Sequence, residues 1–127
     1  MCVLAHPDDE SLGTGGALAR CAAEGVATYL VTATRGERGR FGVDGEERQA
    51  VPWPDWAITT VLDTREVWPA VWRAVSCHKT QMSIYRKLGE LPEEHQRSLW
   101  GTQEFYRVMS TVNGGRARES DLFEGLR

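Results

Sequence analysis

The sequence predicts an α/β fold, a Rossmann-like three-layer arrangement around a mainly parallel sheet, and three stretches near its start predict it. Met1 to Ala5 is an apolar run, Gly15 to Gly25 carries helical spacing that ends in glycine, and Val26 to Thr34 is dense in β-branched residues. Strand, helix and strand at this spacing make a right-handed crossover with parallel strands. In such sheets ligands collect beyond the carboxyl ends of the strands.

Each element follows from its residues. Met1-Cys2-Val3-Leu4-Ala5 is too uniformly apolar for a strand with one wet face and fits one buried on both sides. A loop is expected through Gly13. A helix then starts at Thr14 or Gly15, buries Ala17-Leu18 and Cys21-Ala22, and stops at Gly25. Val26 to Thr34 gives the second strand. Arg35 to Gly45, with four glycines and three arginines, reads as a polar loop over the strands' carboxyl edge. Glu46-Glu47-Arg48-Gln49 begins like a helix but breaks at Val51-Pro52-Trp53-Pro54 after barely a turn.

Further on, Asp63 or Thr64 can cap a helix with Pro69 in its first turn, which would align Val67, Val71, Ala74 and His78 on one face. Leu88 to Met109 reads as one or two more helices, with a second start at Pro92-Glu93-Glu94, His95 exposed, and a stop at Asn113-Gly114-Gly115. The tail from Asp121 to Arg127 carries apolar residues that call for a partner surface, a second subunit of a homo-oligomer being one candidate. Of the five tryptophans, Trp68 and Trp72 lie one helical turn apart and read as a packing stripe rather than a sugar platform.

Composition narrows the function. A chain of 127 residues suits one domain, and a net charge of −3 argues against general affinity for nucleic acid or anionic membrane, leaving a small molecule as the expected partner. No stretch approaches the roughly 20 apolar residues of a membrane span and the start lacks a signal pattern, so a cytoplasmic address is expected. Cys2, Cys21 and Cys77 cannot all pair and show no metal-binding spacing, so they read as reduced thiols. Cys77 and His78 point about 100° apart on a helix, which weakens them as a nucleophile and its base.

The chemistry concentrates in Ala5-His6-Pro7-Asp8-Asp9-Glu10, at the exit of the first strand. One imidazole and one carboxylate suit a borderline cation such as zinc, while a second carboxylate can stay unligated and take a proton from metal-activated water. Pro7 pushes His6 toward an extended backbone, so the chain must turn here. A turn that merely caps the next helix would explain one acid, but not His, Asp and Asp together.

These residues resemble the LmbE-like family of zinc-dependent N-deacetylases, which contains N-acetylglucosaminyl-phosphatidylinositol de-N-acetylase. The resemblance rests on Ala5-His6-Pro7-Asp8-Asp9-Glu10 with Gly15-Gly16 and Leu18-Ala19, on Thr32-Ala33-Thr34-Arg35-Gly36-Glu37-Arg38-Gly39, and more weakly on Ala74-Val75-Ser76-Cys77-His78-Lys79-Thr80-Gln81. It implies a single LmbE-like deacetylase domain over residues 1–127 that hydrolyses a linear amide, removing the acetyl group of an amino-sugar substrate. His6 and Asp9 would bind Zn2+, Asp8 would be the general base, and Arg35, Glu37 and Arg40 would grip the sugar. The family takes its third ligand and an acid-side histidine from a His-Pro-Asp-His motif that this sequence lacks; its other histidines are His78 and His95. The family's domains are also longer, so an internal segment is expected to be missing near 46–52.

Three alternatives stand beside this reading. His78 could replace the third ligand, although a lone histidine on an apolar face is more often a packed one. Gly13-Thr14-Gly15-Gly16 could cradle a phosphate, but the glycines come late and two acids precede them. The chain could also be a catalytically incomplete remnant acting as a binding or assembly module.

Overall fold

β1 (Cys2–Leu4) and β2 (Leu30–Thr32) pair in parallel, Cys2 opposite Leu30, Val3 opposite Val31 and Leu4 opposite Thr32. In this computed structural model, which describes residues 1–36, 54–112 and 117–126, the expected strand, helix, strand unit is therefore present. Its connection holds two helices, α1 (Asp9–Gly13) and α2 (Gly15–Ala23), where a loop had been expected through Gly13. α1 forms because the Asp8 carbonyl accepts the N–H groups of Ser11 and Leu12 at 3.0 and 3.2 Å, starting a helix immediately after the turn. α2 stops at Gly25, with φ +77°: Gly25 N–H bonds the Ala22 carbonyl and Val26 N–H the Cys21 carbonyl. Glycine takes this left-handed helix stop without a Cβ penalty.

Two expectations for this unit are corrected. β2 is shorter than Val26 to Thr34, because β1 offers only a short partner; Ala33 and Thr34 still donate to the Leu4 and Ala5 carbonyls at 2.8 and 3.1 Å. The first strand is also not buried on both sides. Cys2 and Leu4 turn toward the helices, the Cys2 thiol lying 3.8 Å from the Thr14 hydroxyl, whereas Val3, Leu30 and Val31 are 64%, 46% and 44% exposed. Among the described residues the Val3 and Val31 face is open, and the helices cover the Cys2 and Leu30 face only in part.

The second sheet is antiparallel. β3 (Thr60–Asp63) pairs with β4 (Thr102–Phe105), Thr60 opposite Phe105 and Asp63 opposite Thr102, and Glu119 bridges the other edge of β3 through Thr59 and Val61. The Glu119 carboxylate pairs with the Arg107 guanidinium and accepts the Thr60 hydroxyl. β4 overturns the helical reading of residues 102 to 109. α4 (Met82–Gly89) and α5 (Glu93–Trp100) do form, α5 starts at Pro92-Glu93-Glu94 as expected, and His95 is exposed. The helix ends at Gly101, however, after which pairing with β3 sets the conformation. The expected stop at residues 113–115 and the expected gap near 46–52 lie outside the described residues.

α3 (Trp68–Cys77) starts later than a cap at Asp63 or Thr64 would place it. Asp63 instead accepts the Arg65 backbone N–H and guanidinium, and the Thr64 hydroxyl donates to the Trp100 carbonyl at 2.7 Å. Pro69 sits in the first turn as expected. The buried stripe is Val71 and Val75; Ala74 is exposed. With Ala17, Ala57, Ile58 and Leu62 these valines make the core. α2 lies close against it because Gly16 has no side chain: a Cβ there would stand 2.7 Å from Thr64 Cγ2. Trp72 packs on Trp100, ring centres 6.2 Å apart, in keeping with a structural use of these rings. Asp121 and Leu122 of the tail line a small recess with Ala17, Arg20 and Leu62, so part of the tail finds its surface within the chain.

Candidate metal centre

The chain leaves β1 at Ala5 and reverses over three residues. Asp8 has φ +117°, the one non-glycine positive φ among the described residues. Asp tolerates such a backbone better than most residues, at about 1–3 kcal/mol of strain. The reversal brings the His6 and Asp9 side chains together. Asp9 Oδ2 accepts the His6 backbone N–H at 3.0 Å and lies 3.6 Å from His6 Nδ1. The side chains are 62% and 41% exposed, open to an ion from solvent.

That separation can be tested against coordination chemistry. Two ligands of a tetrahedral zinc ion, with bonds of about 2.0–2.1 Å, stand roughly 3.4 Å apart. The pair fits as two corners of such a shell. Among the described residues no group of three His, Cys, Asp or Glu side chains is arranged to hold a metal, so the pair offers two donors and no third stands beside it there. His78 does not complete it, being engaged elsewhere.

The Asp8 carboxylate caps nothing. Asp8 is the N-cap residue of α1, yet its side chain makes no capping hydrogen bond. Glu10 does that work in reverse: its Oε2 accepts the Asp8 backbone N–H at 2.9 Å, as in a capping box shifted by one residue. Glu10 Oε1 accepts the Ser11 hydroxyl at 2.9 Å and lies 3.4 Å from His78 Nε2, which is also 3.2 Å from Ser11 Oγ. Burial pushes the Glu10 carboxyl up, but the N–H groups of Asp8 and Glu10, the Ser11 hydroxyl and the His78 ring together hold it below the ordinary carboxylate range.

The loop after β2 meets this turn. Thr34 donates its hydroxyl to the Ala5 carbonyl at 3.0 Å, and a Cβ at Gly36 would touch Pro7 Cδ at 3.7 Å. His6, Asp8, Asp9 and Arg35 therefore share one edge of the β1–β2 sheet, while Glu37 and Arg40 lie outside the described residues. Sequence reasoning did not single out Glu10 or Ser11. An acid in the first turn of a helix is a signal for the first; a contact across 67 residues gave none for the second.

Comparison with known proteins adds an independent line. The family model described as PIG-L, GlcNAc-PI de-N-acetylase, matches residues 1–96. The chain is 54% identical over 55 residues to the 1D-myo-inositol 2-acetamido-2-deoxy-alpha-D-glucopyranoside deacetylase of Mycobacteroides abscessus, covering 43% of this chain and 20% of that protein. It is 62% identical over 41 residues to the enzyme of the same name from Actinosynnema mirum, 32% of this chain and 14% of the other. With deacetylase 2 of Saccharopolyspora erythraea it shares 57% over 44 residues, 35% and 16% of the two chains. The matches thus span a fifth or less of these curated relatives. No solved structure was found to match the chain.

Proposed function

The chain belongs to the GlcNAc-PI de-N-acetylase family, and on that premise we propose that it carries the metal-binding turn of a zinc-dependent hydrolase that removes the N-acetyl group of an amino-sugar derivative. The substrate class is N-acetylglucosamine linked to inositol, the chemistry for which the relatives are named. The observation that supports this best is the 3.6 Å approach of His6 Nδ1 to Asp9 Oδ2 at the carboxyl end of a parallel strand.

In this reading His6 and Asp9 hold the Zn2+, with the rest of its shell supplied by residues outside those described. Zinc held there would supply Lewis acidity, polarising the acyl oxygen and acidifying water. Asp8 is the general base. Its carboxylate takes a proton from the attacking water and returns it to the departing amine nitrogen, a dual use that one positioned carboxyl can serve. Arg35, with Glu37 and Arg40 of the same loop, grips sugar hydroxyls. The domain, short of a segment near 46–52, belongs to a larger Rossmann-like three-layer sheet and works in the cytoplasm; no helix among the described residues is long and apolar enough to cross a membrane.

Metal analysis and a deacetylation assay on three proteins test this. The wild-type chain should take up near-stoichiometric zinc. Asp8→Ala should keep the zinc and lose at least about a hundredfold in deacetylation; His6→Ala should lose both. An Asp8→Ala protein with undiminished turnover removes the proposed base, and crystals soaked in zinc that show only water beside His6 remove the metal.

A further inference from the structure

The carboxyl end of α3 and the start of α1 meet in a chain of hydrogen bonds that the proposed reaction does not use. Ser11 is 2% exposed, and its single hydroxyl proton goes to Glu10 Oε1 at 2.9 Å. The hydroxyl can therefore only accept from His78 Nε2, 3.2 Å away, so Nε2 carries hydrogen. The other oxygen of the same carboxylate accepts the Asp8 N–H at 2.9 Å. On its far side the Asp8 carbonyl accepts from Ser11 and Leu12. The link runs His78 Nε2–H, Ser11 O–H, Glu10 carboxylate, Asp8 N–H, and it ends on the one strained non-glycine residue among those described.

We propose that His78 is a positioning residue: through Ser11 and Glu10 it holds the Asp8 peptide in its left-handed conformation and so fixes the turn on which His6, Asp8 and Asp9 stand. The importance for catalysis rests on the reading of that turn given above; the mechanical claim does not. His78 suits the task because it is anchored on the core. Its N–H bonds the carbonyl of Val75, which is 1% exposed, and its own carbonyl accepts the Gln81 N–H at 2.9 Å. A strained peptide persists only where its surroundings over-determine it, and two carbonyl bonds on one side with a carboxylate bond on the other do so.

Amide hydrogen exchange of the full chain, with and without added Zn2+, tests the link. The Val61 and Thr64 amides, which bond the Glu119 and Gly101 carbonyls in the packed part of the molecule, serve as the reference for global opening. Glu10→Ala and His78→Phe should each speed exchange at Asp8 about five- to tenfold relative to that reference, the worth of one hydrogen bond. The double variant should exceed the larger single effect by less than twofold, because both act through one chain of contacts. His78→Gln, whose amide N–H can reach Ser11 Oγ, should restore most of the protection, which a packing role alone would not. If His78→Phe does not fold, Ser11→Ala removes a single oxygen and should have the same effect on Asp8. Asp8 exchange within twofold of wild type in His78→Phe or Ser11→Ala, or fully additive effects in the double variant, overturns the proposal. Wild-type protein that fails to bind Zn2+ counts against the metal reading alone, since Asp8 exchange is measured without it.

Discussion

The two sheets divide the work of this molecule unequally. β3 and β4 include buried Thr60 and Leu62, follow directly on buried Ala57 and Ile58, and are bordered by the largely buried pair of Arg107 with Glu119. β1 and β2 pair over three residues each, leave Val3, Leu30 and Val31 largely in solvent, and yet β1 leads straight into the turn that bears His6, Asp8 and Asp9, the residues proposed for the site. The proposed chemistry stands beside the thin, open sheet, and the packed sheet holds the greater share of buried residues. The difference teaches that a turn on a thin sheet can be tied to the packed part of the molecule by side chains, here from His78 at the end of α3 through Ser11 and Glu10 to the Asp8 N–H.

The contrast can be broken most directly in the core. Leu62→Ala should cost about 2–5 kcal/mol in urea unfolding, while Val31→Thr should stay within about 0.5 kcal/mol; equal costs would mean that the two sheets are not different in kind. Gly16→Ala probes the join. A methyl there meets Thr64 Cγ2 at 2.7 Å and Cβ at 2.8 Å, and overpacking of about 1–3 kcal/mol outweighs the helix gain of roughly 0.5–1 kcal/mol. A stability loss of about 1 kcal/mol is the expected result, read by denaturation. Asp8→Gly sharpens the comparison in the opposite direction. It relieves the positive φ, loses no side-chain cap, and should raise stability by about 1 kcal/mol while removing the proposed base.

The smallest effect belongs to the exposed end of β3. The side-chain and backbone hydrogen bonds of Arg65 hold the Asp63 carboxyl far below the usual carboxylate range. A depressed carboxyl contributes stability above its unfolded value and loses it as pH falls through the folded one. The melting temperature of Arg65→Ala should therefore lie slightly below wild type at neutral pH, and the gap should close only in strong acid. Because the pair is solvent-exposed, the gap should be modest and shrink with added salt.

What the sequence disclosed follows from the range over which its signals act. The apolar run before His6, the glycine at 25 and the β-branched run to Thr34 are local, and the parallel unit they predict is present. The burial of β1 was misjudged because an apolar strand does not say what covers it. β4 was missed because Thr102 to Phe105 has no strong intrinsic bias; its conformation comes from Thr60 to Asp63, about 40 positions earlier. At the candidate centre, His6 and Asp9 were legible because they are three residues apart beside a proline. The contact of His78 with Ser11 was not, since it depends on how α3 lies against α1.

The left-handed bend at Asp8 has an evolutionary consequence. Its N–H and C=O are both committed to neighbours, whereas its carboxylate forms no capping bond. The carboxylate bears no cap and the backbone suits glycine, so on the proposed reading a change to glycine would silence the base and leave the scaffold intact. If the proposed roles hold, a lineage could lose turnover here in a single step and keep a well-folded descendant, free to drift toward a different employment.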